Sequence, residues 1–497
     1  MLFNSLDFLI FFPIVTLIYF VIPHKIRYIW LLVCSYYFYM CWNAAYALLL
    51  FVSTFITWLS GLAIGNIVKN GKDDANRQQS KGIVAISFIL NLTILAFFKY
   101  AGFAVNSVNQ LFQAVGIRFV VPKVDVLLPV GISFYIFQAL SYTVDVYRGD
   151  VKVEKNLLKY MVFVSFFPQL VAGPIERSSR LLEQFYEKHS FDFERVCSGL
   201  MIMLWGFFQK LVVADRLAVL VNQVFLYNSY YSGIEIIVAV MFFAVQIYCD
   251  FAGYSNIAIG ASQVMGFELM ENFRQPYLAN SVSDFWRRWH ISLTSWFRDY
   301  LYIPLGGNRK GKLAKYRNIM IVFLTSGLWH GANWTYVVWG GLNGLFQVIA
   351  DLTKKPRQKL KAFFKIRQES GSWRILSTVI TFILVDFTWI FFRADSMADA
   401  FQIISRIFSQ FNPWVLVDGT LYTLGLSQVD FWIGILSIAV LLTVDIVHER
   451  GVKIRSWVLQ QNLWFRWSIY LGAIFFILIF GFYGPNYDAS QFIYFQF

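Results

Sequence analysis

Charge is what this 497-residue chain has least of. Only 14% of its residues are Asp, Glu, Lys or Arg, where soluble domains carry roughly 25%. That shortage excludes an ordinary water-facing surface. Cysteine is rare too: Cys34, Cys41, Cys197 and Cys249 lie in or beside apolar runs, and no two form a CxxC pair. They read as small core residues, with neither a disulfide framework nor a metal centre implied. The chain carries no P-loop, no GxSxG, no HExxH and no Rossmann glycine pattern, which argues against an ATP-driven pump, a soluble-type hydrolase and a dehydrogenase. There is no internal repeat, so a solenoid or inverted-repeat transporter finds no support. The opening MLFNSLDFLIFF lacks a positive n-region and contains Asp7, so it reads as a retained first span, not a cleaved signal peptide.

What is present is apolar and aromatic. Hydrophobic residues make up 58% of the chain and aromatic ones 19%, with 52 phenylalanines. A membrane-spanning helix needs about 20 mostly apolar residues. On that rule the segments near 7–22, 28–42, 44–66, 83–98, 126–146, 196–213, 234–260, 318–330, 334–350, 374–393, 431–447 and 466–483 are predicted spans. Segment 157–173 is apolar but short, and its ending FPQLVAGP holds two prolines that break a helix. It is predicted to be re-entrant. Region 274–317 mixes Trp, Arg and Pro and is predicted to be interfacial or re-entrant. Linkers are short and basic, so the fold class is an all-α polytopic membrane protein, with one continuous domain over 1–497.

The net charge of +13 sits in loops. Lys25 and Arg27 follow the first span, and Lys69, Lys72, Arg77 and Lys81 lie between the third and fourth. The run from Lys354 to Arg374 holds eight basic residues against Glu369, and Arg450, Lys453 and Arg455 precede the last span. All fall on one side if the N-terminus is outside, and the positive-inside rule makes that side cytoplasmic. The weakly charged loop 395–430 and the tail GPNYDASQFIYFQF are then expected outside, for an even number of spans.

Two of only five histidines, His290 and His330, fall in the stretch 283–344. Around His330 the sequence reads TSGLWHGANW. Small neighbours let backbones or a thin ligand come close, and Trp329, Trp334 and Trp339 are candidates for the walls of a narrow apolar channel. Imidazole suits proton transfer near neutral pH, and an ionisable group at membrane depth is expensive. A core histidine bonded to a neighbouring helix is the competing reading. His290 lies in DFWRRWHISLTSWF, where an interfacial amphipathic helix explains most of the pattern. It does not explain two histidines converging on one region.

Between them, Arg287 to Arg317 holds eight Lys or Arg and one acid, Asp299. Its centre LGGNRKGK combines Gly306 and Gly307 with Arg309, Lys310 and Lys312. Exposed amides plus cations suit the phosphate of an acyl donor, while anionic headgroups and topology also predict a basic loop here. Asp145, Asp215, Asp250, Glu268, Asp386 and Asp445 lie within or against apolar spans. Asp215 stands beside Arg216, which suggests a local ion pair. Most of these acids read as structural, although one is a candidate to orient a histidine.

At these residues the chain resembles the membrane-bound O-acyltransferase (MBOAT) family, in its bacterial AlgI/DltB-like branch. The pieces that carry the resemblance are FKYAGF (98–103), PVGISFYIFQALSYTVDVYRG (129–149), FFPQLVAGPIER (166–177), QIYCDFAGYSNIAIG (246–260), NFRQPYLANSVSDFWRRWHISLTSWFRDYLYIPLGGNR (272–309), SGLWHGANWTYVVWGGLNG (326–344) and FIYFQF (492–497). The hydropathy pattern predicts about twelve spans, and the resemblance implies that they form a ring with re-entrant pieces around a central tunnel, with Trp286, Trp289, Trp329, Asn333 and Trp334 as expected lining. It implies that His330 is the catalytic histidine and His290 the second family position. It implies a cytoplasmic thioester donor, acetyl-CoA or an acyl-carrier thioester, with no bound cofactor and no metal. The expected acceptor is an exported polysaccharide, reached through an extracytoplasmic SGNH-type partner of the AlgX/AlgJ kind. The expected location is the bacterial cytoplasmic membrane, and no nucleic acid is involved. D-alanyl transfer to teichoic acid and a non-enzymatic transporter are the alternatives.

Overall fold

The computed structural model describes all residues except 71–73, 123–126, 368–369, 484–492 and 494–497. Most of the tail motif at 492–497, together with Lys72 and Glu369, lies outside the described residues. Every regular element among the described residues is a helix. The chain forms two compact units, Met1–Met203 with Ile257–Met270, and Leu204–Asn256 with Glu271–Phe497.

The first unit begins with α1 (Leu6–Val21), α2 (His24–Met40), α3 (Tyr46–Asn70) and α4 (Asp74–Ala114). It continues with α5 (Ile132–Arg148), α6 (Leu157–Ser165), α7 (Phe167–Leu170), α8 (Ser178–Gln184) and the start of α9 (Phe193–Phe207). Helix α5 is buried along nearly its whole length. It starts where Gly131 takes φ +73°, and a Cβ there would meet the Leu170 carbonyl at 2.6 Å. The apolar segment 157–173 is broken as its prolines predict: α6 stops at Phe166, and α7 starts afresh with Pro168 in its first turn. The carbonyl of Phe163 accepts from Gln138 Nε2 at 2.6 Å and from Gln169 Nε2 at 2.9 Å, so side-chain amides supply donors at the break.

The second unit holds the end of α9, a widened π-type turn at Phe208–Ala214 and α10 (Asp215–Leu226). Most of α11 (Gly233–Met265) follows, then two short helices, α12 (Val282–Arg288) and α13 (Ile291–Phe297). Next come α14 (Gly311–His330), α15 (Trp334–Leu352), α16 (Lys354–Phe363), α17 (Gly371–Arg393) and α18 (Met397–Ser409). The unit closes with α19 (Gln428–Glu449), α20 (Ile454–Leu459) and α21 (Leu463–Phe480).

Seven stretches among the described residues are long and apolar enough to cross a membrane, the largest being Asp74–Ala114. They cover α3, α4, the run Phe193–Leu226, α11, α17, α19 and α21. The other predicted spans fall on α1, α2, α5, α14 and α15, which are shorter or more polar. Region 274–317 contains only short helices before α14 begins.

Glycine sets the packing of α14 on α15. A Cβ on Gly327 would lie 2.3 Å from the Tyr336 carbonyl, and one on Gly340 would lie 2.2 Å from that of Phe323. The two backbones therefore touch, and no side chain fits between them. The small residues around His330 serve this close approach.

The buried ion pairs differ from the expectation at Asp215. Asp215 pairs with Lys210 at 2.8 Å, and Lys210 also reaches Asp250 at 2.6 Å. Arg216 pairs with Asp430 at 2.9 Å instead. Consecutive helical side chains do not face each other, so neighbours in sequence such as Asp215 and Arg216 point apart.

Candidate active site

His330 is the last residue of α14 and only 3% exposed. Its Nδ1 lies 2.6 Å from the carbonyl oxygen of Ser326, one turn back. A carbonyl can only accept, so Nδ1 carries a hydrogen, and in the neutral ring the lone pair then sits on Nε2. This is the tautomer a proton-abstracting imidazole needs. Aromatic rings pack around it: Trp339 at 4.8 Å, Trp329 at 4.9 Å and Phe392 at 5.6 Å between centroids.

His290 is fully buried and joins α12 to α13. Its backbone is left-handed at φ +45°, an unusual state for a non-glycine residue. Asn272 holds the turn. Its carbonyl accepts from Ile291 N at 2.9 Å, and its Oδ1 accepts from Ser292 Oγ at 2.9 Å and from Ser292 N at 3.3 Å. The backbone N–H fixes which end of the amide faces this way, and Nδ2 donates to Ser255 Oγ at 3.1 Å. His290 Nδ1 stands 3.2 Å from the same Oδ1. It therefore donates, and in the neutral ring the lone pair is again on Nε2. Phe251 packs edge-on against this ring at 4.6 Å.

The two imidazoles stand 6.4 Å apart between centroids, nearly perpendicular, and Trp329 contacts both. Residues 40 positions apart thus form one site. Such a fixed, dry pair, when its rings are neutral, can take a proton and accept a hydrogen bond. While both stay neutral in these tautomers, Nε2 of neither can donate to a developing oxyanion.

The remaining predicted residues divide. Trp286 and Trp289 are buried: Trp286 donates to Asn343 Oδ1 at 3.2 Å and packs on Trp339 at 5.7 Å, and Trp289 packs on Trp389 at 5.2 Å. Asn333 caps α15, accepting from Thr335 N at 3.2 Å and donating to the Asp395 carbonyl at 2.9 Å. Trp334 is 53% exposed at the start of α15. Arg309, Lys310 and Lys312 are exposed and lie at the opposite end of α14 from His330. That helix has 20 residues, about 30 Å of rise. Among the described residues no group of three or more His, Cys, Asp or Glu is placed to hold a metal ion.

Asn272 and Phe392 were not singled out from sequence. Asn272 stands in the quoted NFRQPY piece, but nothing local marks an asparagine as the anchor of a histidine 18 residues later.

Fold and site together define an integral membrane protein with a desolvated histidine pair at the end of a glycine-packed helical hairpin. The chain belongs to the membrane-bound O-acyltransferase family, whose sequence profile matches residues 152–385, and it is an O-acyltransferase. It is 38% identical over 420 residues to the probable alginate O-acetylase AlgI of Pseudomonas syringae pv. tomato, covering 84% of this chain and 76% of that protein. It is 32% identical over 402 residues to the peptidoglycan O-acetyltransferase of Helicobacter pylori, covering 76% and 72%. The teichoic acid D-alanyltransferase of Bacillus subtilis is 28% identical over 286 residues, covering 54% of this chain and 70% of that protein.

Proposed function

We propose that this protein transfers an acetyl group from a cytoplasmic thioester, acetyl-CoA or an acyl-carrier thioester, toward O-acetylation of an exported cell-surface polysaccharide. His330 is the general base. The observation that carries this reading is the buried His330 ring with Nδ1 held on the Ser326 carbonyl. The names of the relatives favour acetyl and a polysaccharide.

In the reaction the acceptor hydroxyl oxygen attacks the thioester carbonyl while His330 Nε2 takes its proton. The carbon–oxygen bond forms, the carbon–sulfur bond breaks, and the departing thiolate takes the proton back from His330. His290, held by Asn272, accepts a hydrogen bond from a second donor group on the acceptor and so aims the attacking oxygen. Dry aromatic walls keep water from competing as nucleophile. The acceptor is a sugar hydroxyl or a serine on an extracytoplasmic SGNH-type partner of the AlgX/AlgJ kind. Arg309, Lys310 and Lys312 guide the donor's phosphates from the cytoplasmic face. In this reading the chain crosses the bacterial cytoplasmic membrane about twelve times with both termini outside, the donor arrives from the cytoplasm and the acceptor lies outside.

The test is chemical analysis of cell-surface polymers from a deletion strain. Loss of ester-linked acetate, restored by the wild-type chain, supports the reading. Unchanged acetate with a fall in ester-linked D-alanine would replace it with D-alanyl transfer to teichoic acid.

A further inference from the structure

Helix α16, Lys354–Phe363, buries none of its side chains within the protein. It has ten residues, and a helix that short is marginal in water without packing. Yet both ends are fixed to the helices flanking it. Arg357 donates to the Ala350 carbonyl at 2.5 Å, and Lys361 Nζ sits 4.5 Å over the Trp373 ring. The middle of the helix makes no buried contact within the chain.

The sequence KKPRQKLKAFF says what kind of surface suits it. Pro356, Leu360, Phe363 and Phe364 recur at i, i+4, i+7 and i+8, the spacing of one apolar stripe. Leu360, Phe363 and Phe364 are 58%, 79% and 62% exposed. Lys354, Lys355, Arg357, Lys359 and Lys361 occupy the rest of the circumference. An apolar stripe framed by cations matches the boundary of an anionic leaflet, with acyl chains below and phosphates around. Position agrees. Helix α16 connects α15 to α17, and α17 is one of the span-length helices. The Lys315–Asp351 pair at 2.8 Å and the Tyr316–Asp351 hydrogen bond at 3.0 Å tie the first turns of α14 to the end of α15. The loop carrying Arg309, Lys310 and Lys312 therefore shares this end of the hairpin with α16.

We propose that α16 is an in-plane anchor that binds anionic lipid headgroups, inserting Leu360, Phe363 and Phe364 at the headgroup boundary. It holds the basic end of the α14–α15 hairpin at the leaflet surface. The assignment is independent of which acyl group the enzyme moves.

The experiment is hydrogen exchange on the full chain in nanodiscs of phosphatidylcholine alone and of phosphatidylcholine with phosphatidylglycerol, followed at the amides of 354–364. Protection is expected in the anionic discs and is lost in the neutral ones. Lys354→Gln/Lys355→Gln/Lys359→Gln is expected to remove the difference between the two lipids. Phe363→Ser/Phe364→Ser is expected to remove protection in the anionic discs, while exchange in α14 stays unchanged. Equal exchange of wild-type α16 in the two lipids would overturn the proposal. So would protection that appears in neutral discs only when acetyl-CoA is added, which would make the surface a docking site for the donor.

Discussion

The two ends of helix α14 differ in almost every respect. At one end His330 is 3% exposed, ringed by Trp329, Trp339 and Phe392, with its tautomer set by a backbone carbonyl. At the other end Arg309, Lys310 and Lys312 stand in the open, and α16 at the same end buries none of its side chains. One end has given up water and fixed its rings, as proton transfer to a chosen atom requires. The other keeps exposed, solvated cations, which suits attraction of an anion or a lipid surface but not chemistry. Rate should therefore reside at the dry end and capture at the wet end.

That division can be broken from either side. The largest effect is expected from His330→Ala: kcat falls by about 10²–10⁴-fold, the range for losing a positioned base, while membrane abundance and KM for the donor hold. A full rate from this variant would place the base elsewhere. Next is Gly327→Leu. Its side chain must displace the Tyr336 backbone, which a Cβ would already meet at 2.3 Å. Overpacking costs about 1–3 kcal/mol even where side chains can yield, so a lower melting temperature and less protein in the membrane are expected. A wild-type melting curve would mean the α14–α15 hairpin packs more loosely than these backbone distances require.

Asn272→Asp sharpens the comparison within the dry end. It keeps an acceptor for His290 Nδ1 but adds a carboxylate, which favours the imidazolium by about 1–3 pH units. The protonated ring has no Nε2 lone pair, so activity should fall at low pH and return as pH rises above the new, higher midpoint. An unshifted pH–rate profile would leave Asn272 with a purely structural role. The smallest effect is expected at the wet end. Arg309→Gln/Lys310→Gln/Lys312→Gln should raise KM for the thioester donor severalfold at low salt, with kcat unchanged, and the effect should fade as salt rises. A drop in kcat would couple the two ends.

The elements were legible because hydropathy and helix breakers act locally. Every predicted span falls on a helix, and the break in 157–173 comes where Pro168 puts it. The histidine pair was legible by residue type, since few side chains tolerate such burial without a partner. Partners were less legible, because they are fixed by distance in space. Asp215 finds Lys210 and not its neighbour Arg216. His290 finds Asn272 through a left-handed turn that nothing in DFWRRWH announces. Asn333 and Trp334 show the same limit: each follows His330 closely in sequence, yet one caps a helix and tethers Asp395, and the other faces outward.

The central claim is that His330 moves the proton. Its direct test is transfer of labelled acetyl from acetyl-CoA or an acetyl-carrier thioester to acceptor by the purified enzyme, comparing wild type with His330→Ala and His330→Gln at matched folded protein. The account predicts transfer by the wild type and next to none by either variant, with donor still bound. Transfer by His330→Gln at the wild-type rate would contradict it, because glutamine can fill the space and hydrogen-bond but cannot take the proton.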